Sequence, residues 1–263
     1  MFESKAVGGG WPRGTAMSNP PEVEDPITRE TPEFQGEARR IREVYKLRKA
    51  GHNSVNLTPM DLRGRYAIHE REELLLNIFR SQGLTSLAGL NILDVGCGAG
   101  ALFGHLFDYG AELENCFGID LIEERLLLAK HLRPNVNFIL GSGAQLPLPS
   151  ETFDFVFQFL LFTSVLDGEI KKAIAAEILR ALRKGGRFLW YDFAYDNPQN
   201  ADVKGIARRE IQELLPGCRL NFWRLTLAPP LGRLAAQVSP FLYRALSQIP
   251  LLRTHYLCVA EKV

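Results

Sequence analysis

Apolar runs and helical stretches alternate along the middle of the chain. From Leu90 to Phe193, short apolar runs predict strands, and the stretches between most of them predict helices. The runs contain few polar positions, which is typical of parallel strands covered by helices on both faces. This order predicts right-handed crossovers and an α/β fold. The successive segments are NILDVG, ALFGHLFDYG, NCFGID, EERLLLAKHL, VNFILG, FDFVFQFLLF, EIKKAIAAEILRALRK and GRFLWYDF.

The N-terminal part has a different pattern. Residues 1–38 contain three successive glycines and five prolines, and this composition predicts a disordered arm because little apolar surface is available to bury. Apolar residues at helical spacing then predict helices within residues 39–85. The predicted buried face of one of them comprises Ile68, Leu75, Ile78 and Phe79.

After Asp192 the alternation gives way to longer elements. A helix is predicted around residues 207–215, and strands are predicted over RLNFWRLTL and THYLCVAEK. The segment 229–252 lies between these two strands and is too long for a turn. Its apolar residues recur at helical spacing, and Pro240 divides the pattern into two short helices.

Composition excludes several classes of protein. The chain has 31 Lys and Arg against 30 Asp and Glu, a net charge of +1, whereas nucleic-acid binders usually carry a basic surface. Its four cysteines form no C-x-x-C pair, which argues against a metal site. No apolar signal region begins the chain, and no run of about 18 apolar residues occurs. We therefore expect a cytoplasmic protein that binds neither nucleic acid nor a structural metal.

The most specific motif is a glycine-rich loop, DVGCGAGA, at residues 94–101. It follows an apolar strand and opens a helix, where small residues let a ligand approach the backbone. The loop satisfies the dinucleotide pattern G-x-G-x-x-G/A, and Asp120 follows about 20 positions after its last glycine. On this spacing a nicotinamide cofactor remains open, and so does a tight turn without a ligand.

Two carboxylates favour a different nucleoside cofactor. Asp94 lies inside the strand just before the glycines, where it suits a ligand ammonium group and would repel a pyrophosphate. A cofactor with a zwitterionic aminopropyl-carboxylate tail therefore fits better. Asp120, at the end of the second strand, can accept two hydrogen bonds from a ribose diol.

Four successive segments resemble the motifs of class I S-adenosylmethionine-dependent methyltransferases: ILDVGCGAG, FGIDL, QLPLPSETFDFVF and EILRALRKGGRFLWYDF. The resemblance implies a Rossmann-like, doubly wound α/β fold with helices on both faces. It implies a seven-stranded sheet in the order 3-2-1-4-5-7-6, with the last strand antiparallel. The methyltransferase domain would span residues 39–263, and the implied activity is methyl transfer from S-adenosyl-L-methionine (EC 2.1.1.-).

The resemblance also implies the cofactor contacts. Asp94 and the glycines would line the methionine end, and Asp120 would bind the ribose hydroxyls. The family commonly has an aspartate where this chain has Ser142, so adenine recognition would rest more on backbone groups. The implied cofactor-binding residues are Asp94, Gly96, Cys97, Gly98, Asp120, Leu121, Ser142, Gly143, Ala144 and, beside the sulfonium, Gln158 with its neighbour Phe159.

Fewer residues in the sequence point to the methyl acceptor than to the cofactor. We expect a small-molecule acceptor, with the methyl group placed on an oxygen of a sugar, glycolipid or secondary metabolite. A hydroxyl acceptor must lose its proton, so a base would help. Asp192 ends the fifth strand and His255 begins the last one, and either is a candidate base or orienting group at the ligand edge of the sheet. The alternatives are a loop cap for Asp192 and a packing role for His255.

Segment 229–252 is expected to form a lid over the acceptor pocket, because its ends meet the same edge. Contact with a membrane surface or a lipid-linked acceptor is a variant of this prediction, and a packed helix pair or dimer contact is the alternative. Two other functions remain open. One is a nicotinamide-dependent oxidoreductase, against which Asp94 argues, and the other is an S-adenosylmethionine-binding protein without catalysis.

Overall fold

The computed structural model describes residues 32–49, 62–197 and 200–263. Its strands are β1 (Ile92–Val95), β2 (Cys116–Asp120), β3 (Asn137–Leu140), β4 (Phe153–Phe159), β5 (Leu182–Phe193), β6 (Cys218–Leu227) and β7 (Arg253–Lys262). Its helices are α1 (Pro32–Lys49), α2 (Leu62–Ser81), α3 (Ala101–Asp108), α4 (Glu123–Leu132), α5 (Gly168–Ala181), α6 (Arg208–Leu214), α7 (Pro229–Val238) and α8 (Pro240–Ser247).

The seven strands form one sheet in the order β3-β2-β1-β4-β5-β7-β6. Neighbours among β1 to β5 pair in parallel, whereas β7 runs antiparallel to both β5 and β6. The predicted strand order and the antiparallel last strand are thus confirmed. Because of these directions, β1, β2, β4, β5 and β6 end, and β7 begins, at one edge of the sheet, which we call the carboxyl edge.

Helices cover both faces of the sheet, as the apolar strands predict. On one face, Phe155 and Phe157 of β4 pack with residues of α2 and α3 such as Phe79 and Phe103. On the other face, Val156 packs in a cluster with the apolar side of α5. Successive residues of a strand point to opposite faces, so this alternation also decides which side chains at the carboxyl edge can meet.

Segment 229–252 forms a hairpin of two helices, α7 and α8, divided at Pro240 as the sequence predicts. The Ser239 hydroxyl caps α8 by accepting a hydrogen bond from the Leu242 amide at 3.0 Å, and Pro240 occupies its first turn. The hairpin packs against α2 through the rings of Tyr66 and Tyr243, whose centroids lie 4.7 Å apart. It is therefore a folded element between β6 and β7.

Two expectations differ from the structure. Residues 32–38 of the predicted disordered arm lie in α1, because Phe34 and Ala38 pack against the body of the domain; residues 1–31 lie outside the described residues. Ile68 does not share the buried face of α2 and is 37% exposed. The apolar run FDFVFQFLLF is longer than its strand: β4 ends at Phe159, where Gln158 and Phe159 are expected to end it, because Leu160 has a positive φ of 63° and residues 162–164 form a 3-10 turn.

None of the helices in the described ranges is both long enough and apolar enough to span a bilayer.

Candidate functional site

A cavity of about 190 Å³ lies at the carboxyl edge, between α1 and the ends of β1, β2 and β4. Predicted cofactor residues form its floor: Gly96, Asp120, Leu121, Ser142 and Gly143. One face of α1 covers it with Phe34, Ala38, Ile41 and Tyr45. The part of the chain that composition assigns to an arm therefore contributes to the wall of the candidate site.

The glycine loop is held by the carboxylate of Asp120. Oδ2 of Asp120 accepts a hydrogen bond from the Gly98 amide at 2.7 Å, and Oδ1 accepts one from the Ile122 amide at 2.9 Å. Gly96 and Gly98 have φ angles of +78° and +56°. Residues other than glycine rarely adopt such positive φ angles. A Cβ at Gly98 would also collide with the guanidinium of Arg125. The loop therefore brings glycine backbone close to a carboxylate, and these features fit an adenosine cofactor.

Arg125, which the sequence analysis did not single out, stands beside this carboxylate. Its Nη1 is 3.9 Å from Oδ2 of Asp120, and its guanidinium lies 4.9 Å from the ring centroid of Tyr45 on α1. Asp120 and Arg125 both line the cavity. Arg125 thus connects the cavity cover to the carboxylate that the sequence analysis assigns to ribose.

The turn after β3 supports the other side of the cavity. The Ser142 hydroxyl accepts a hydrogen bond from the Ala144 amide at 3.0 Å, so it caps this turn. A Cβ at Gly143 would lie 2.8 Å from a methyl group of Val95, so only glycine allows the turn to approach β1 this closely. Backbone groups at residues 142–144 remain the candidate adenine contacts.

Asp94 and Arg71 bring opposite charges to the end of β1. Asp94 is 4% exposed, and burial together with the nearby Asp120 raises its pKa to about 7. Arg71 of α2 lies 4.7 Å from the ring centroid of Phe159 and 5.2 Å from that of Tyr191, and its charge opposes the pKa rise of Asp94. The buried Nε of Arg71 has no hydrogen-bond partner within the described part of the chain. The sequence analysis missed Arg71, because nothing in the pattern of α2 separates it from the exposed charges around it.

Asp192 is a buried acceptor at the end of β5. Its Oδ2 accepts hydrogen bonds from Gln158 Nε2 and the Phe162 amide, both at 3.1 Å, and its Oδ1 accepts one from the Thr163 hydroxyl at 2.5 Å. Burial raises its pKa to about 7 although these hydrogen bonds favour the charged form. Gln158 is also fully buried, and its Oε1 accepts a hydrogen bond from the Leu161 amide at 3.0 Å. Asp192 and Gln158 therefore brace the ends of β4 and β5, and neither lines the cavity.

His255 lies on the opposite face of the sheet from Asp192. It pairs with Phe193 across the β5–β7 ladder, whereas Asp192 pairs with Tyr256. Its ring stacks on Tyr191 at 4.9 Å with an interplanar angle of 6°. Burial and the charge of Arg71 lower its pKa to about 3, so the imidazole is neutral at physiological pH. The structure does not bring the two candidate bases together.

Cys97 packs beneath the glycine loop. It is 7% exposed, and burial raises the pKa of its thiol, so the group is a neutral side chain rather than a thiolate. A Cβ at Gly118 would lie 2.8 Å from its sulfur, so the thiol fits against the backbone of β2. Among the described residues, no group of three or more His, Cys, Asp and Glu side chains is arranged to hold a metal ion.

An ion pair fastens α1 over the cavity. Arg40 binds Glu37 through two hydrogen bonds of 2.7 and 2.8 Å, and it also donates to the Ser164 carbonyl at 2.6 Å. Glu37 accepts the Leu166 amide at 2.6 Å. These contacts lower the pKa of Glu37 although its partial burial acts in the opposite direction. The pair joins the cover to the loop after β4, a contact between distant residues that the sequence analysis did not predict.

Comparisons of the sequence with known proteins find methyltransferases. The sequence model of the family described as "Methyltransferase domain" matches residues 93–190. A phthiotriol/phenolphthiotriol dimycocerosates methyltransferase of Mycobacterium tuberculosis is 28% identical over 59% of this chain and 57% of its own length. The chain covers 37–57% of the length of the first curated relatives that it matches.

Solved structures show the same fold. The YcgJ protein of Bacillus subtilis superposes with a TM-score of 0.54 and 16% identity, covering 74% of this chain and 98% of YcgJ. The geranyl diphosphate C-methyltransferase of Streptomyces coelicolor superposes with a TM-score of 0.53 and 17% identity, over 73% and 75% of the two chains. The methyltransferase-domain model thus matches residues 93–190, and the sheet of this chain has the fold of class I S-adenosylmethionine-dependent methyltransferases.

Proposed function

We propose that this protein transfers a methyl group from S-adenosyl-L-methionine to a small-molecule acceptor. One observation carries the proposal: an acidic residue at the end of β2, Asp120, holds the glycine loop beside a covered cavity at the carboxyl edge. Ligands of doubly wound sheets bind at this edge. The domain would begin at α1 and so includes residues 32–38.

Each part of the cofactor has a chemical partner at this edge. Asp120 would accept the ribose hydroxyls, and Leu121 with the turn at residues 142–144 would enclose the adenine. Asp94 would bind the ammonium group of the methionine end. The unpaired Nε of Arg71 suits the carboxylate of that end, because it is buried beside two aromatic rings and near Asp94. The two ends of the zwitterionic tail would thus meet opposite charges.

Arg125 and α1 would control access to the site. Arg125 lies against Gly98 and Asp120, so its guanidinium must move aside when ribose hydroxyls reach the carboxylate. The guanidinium also lies over the ring of Tyr45, and this contact would keep it against α1 as it leaves the carboxylate. The apolar face of α1 would exclude water from the cavity. When bound, S-adenosylmethionine supplies an electrophilic methyl group on its sulfonium.

The chain's own contribution to the reaction would be positioning. We assign Asp192 and His255 to orienting roles: Asp192 holds the loop after β4, and neutral His255 supports the ring of Tyr191. The hydrogen-bonding capacity of Asp192 is occupied, and the pKa of His255, near 3, makes it a weak base. Displacement at a sulfonium loses charge as the bond forms, so placement of the acceptor is the main requirement.

For the acceptor we propose an oxygen on a sugar, glycolipid or secondary metabolite. The relatives described above are named for phthiotriol dimycocerosates and geranyl diphosphate, neither of which is a macromolecule. The near-neutral charge of the chain agrees with such an acceptor, because it offers little excess positive charge to a nucleic acid.

The test has two stages. Isothermal titration compares S-adenosylhomocysteine, S-adenosylmethionine and NAD, and we expect the first two to bind and NAD to bind at least about 100-fold more weakly. Asp120→Asn should weaken binding, while Asp108→Asn, an exposed carboxylate on α3, is the matched control. Transfer of labelled methyl from S-adenosylmethionine to a panel of hydroxylated acceptors then separates an enzyme from a binding protein. Tight binding of NAD alone would indicate the oxidoreductase instead.

A further inference from the structure

The α7–α8 hairpin exposes large apolar side chains that folding does not require. Leu234 and Val238 on α7 are 64% and 72% exposed, and Phe241 and Leu251 reach 81% and 84%. Leu231, Leu234 and Val238 recur at positions i, i+3 and i+7, so they share one side of α7. These exposed apolar side chains all belong to the segment 229–252, and their concentration there favours an interaction surface over single scattered residues.

The same hairpin has a separate buried side. Ala235, Ala236 and Tyr243 pack in a small apolar cluster with Leu227 of β6, and Tyr66 of α2 stacks on Tyr243. The outward residues therefore project from a supported element, so they are available to a partner without any rearrangement. This packing also explains why the hairpin folds without burying its other side.

Charge identifies the partner. Residues 228–253 contain three arginines and no aspartate or glutamate. Arg233 and Arg244 are exposed among the apolar side chains, whereas Arg253 is engaged by Glu70 and by the backbone carbonyl of Arg224. Apolar residues with cations and without anions match the interface of an anionic bilayer. The helices, of 10 and 8 residues, are too short to span a membrane, so the contact would be at its surface.

We propose that the outward side of α7 and α8, with Leu251, is a docking surface for an anionic lipid bilayer. The hairpin connects the end of β6 to the start of β7, so it is attached at the carboxyl edge. Docking would hold this edge near the lipid interface. The proposal rests on the surface of the hairpin alone and stands independently of methyl transfer.

The test is co-sedimentation of the full chain with phosphatidylglycerol–phosphatidylcholine vesicles, about equimolar, against pure phosphatidylcholine vesicles. We expect binding to the anionic vesicles only, and we expect salt at about 0.5 M to weaken it because the arginine contribution is screened. The double variant Phe241→Ser with Leu251→Ser should lower the partition coefficient at least about tenfold. Arg233→Gln with Arg244→Gln should lower it by roughly fivefold per arginine.

Matched controls come from other exposed positions. Phe107→Ser with Leu127→Ser removes apolar side chains of 60% and 65% exposure from α3 and α4, and this variant should bind vesicles like the wild type. Failure of the wild type to bind anionic vesicles, or equal losses in the control and hairpin variants, would overturn the proposal. Light scattering without vesicles tests a second copy as the partner: a dimer that dissociates on Phe241→Ser would also overturn it. The wild-type salt and lipid series decides the question even where a variant folds poorly.

Discussion

The buried carboxylate of Asp94 leads to a pH-dependent cofactor affinity. Its pKa is about 7 in the free protein, because burial and the neighbouring Asp120 disfavour the charged form. A ligand ammonium group pairs only with the ionised carboxylate, so cofactor binding lowers this pKa and releases a proton when Asp94 is protonated beforehand. The affinity for S-adenosylhomocysteine is therefore expected to rise as the pH increases through 7.

The size of the effect follows from the pKa. A carboxyl group with a pKa near 7 is roughly one-tenth ionised at about pH 6 and nine-tenths ionised at about pH 8. The apparent affinity should thus rise about tenfold over this interval, or about 1.4 kcal/mol. Stability of the free protein changes in the opposite direction. Because folding raises this pKa from 3.8, the contribution of Asp94 to stability is fully present below that value and is lost as the pH rises through 7.

Isothermal titration at about pH 6, 7 and 8, in buffers of different ionisation enthalpy, measures both the affinity and the protons released. Asp94→Asn should bind S-adenosylhomocysteine at least about tenfold more weakly at the highest pH and should lose most of the pH dependence. Asp108→Asn on α3 should keep the wild-type profile. A wild-type affinity that is flat with pH, or an asparagine variant that keeps the full slope, would refute the assigned role of Asp94.

Four further predictions concern the walls of the site. Asp120→Asn should weaken S-adenosylhomocysteine binding by roughly 1–3 kcal/mol. It should also lower the Tm, because the carboxylate accepts hydrogen bonds from the Gly98 and Ile122 amides. Titration isotherms identical to those of the wild type would contradict this prediction. Arg71→Met should weaken S-adenosylhomocysteine about tenfold but leave adenosine binding unchanged, and equal losses for the two ligands would remove the carboxylate role. Glu37→Gln should speed S-adenosylhomocysteine dissociation in stopped-flow experiments by about tenfold, because Arg40 and the Leu166 amide lose a charged partner. Identical dissociation rates for variant and wild type would show that α1 does not limit release. Asp192→Asn should lower the free energy of unfolding in urea by about 1–3 kcal/mol, because an amide group would face the donors of Gln158 and Thr163; an unchanged transition midpoint would contradict the bracing role.

Features that depend on neighbouring residues could be predicted from the sequence. The sheet order was implied by the resemblance of four successive motifs to the methyltransferase family, and the glycine loop needs only local backbone geometry, as the positive φ of Gly96 and Gly98 illustrates. Pro240 likewise predicted the boundary between α7 and α8, because proline has no backbone N–H to continue a helix and its φ is fixed. These signals are contained in a few consecutive residues, so one sequence is enough to see them.

Contacts between distant residues could not be predicted in the same way. Arg40 reaches the Ser164 carbonyl across 124 positions, and Glu37 and Arg40 are an ordinary charged pair in the sequence of α1. Asp192 and His255 were placed at the correct edge, but the β5–β7 register pairs Asp192 with Tyr256 and so puts His255 on the other face. Register depends on how the whole ladder closes, and a motif does not contain that information.

The reversed direction of β7 has a consequence for how such a chain can diversify. Because β7 runs against β6, the connection between them emerges at the same edge of the sheet as the ends of β1, β2 and β4, yet it contributes no residue to the glycine loop or to the Asp120 contacts. Here that connection consists of α7, α8 and a short 3-10 turn. Under the proposed function, an insertion at this position would change the surroundings of an acceptor without disturbing the half of the sheet that would hold the nucleoside. Acceptor preference and cofactor recognition can therefore evolve as two separable traits of one domain.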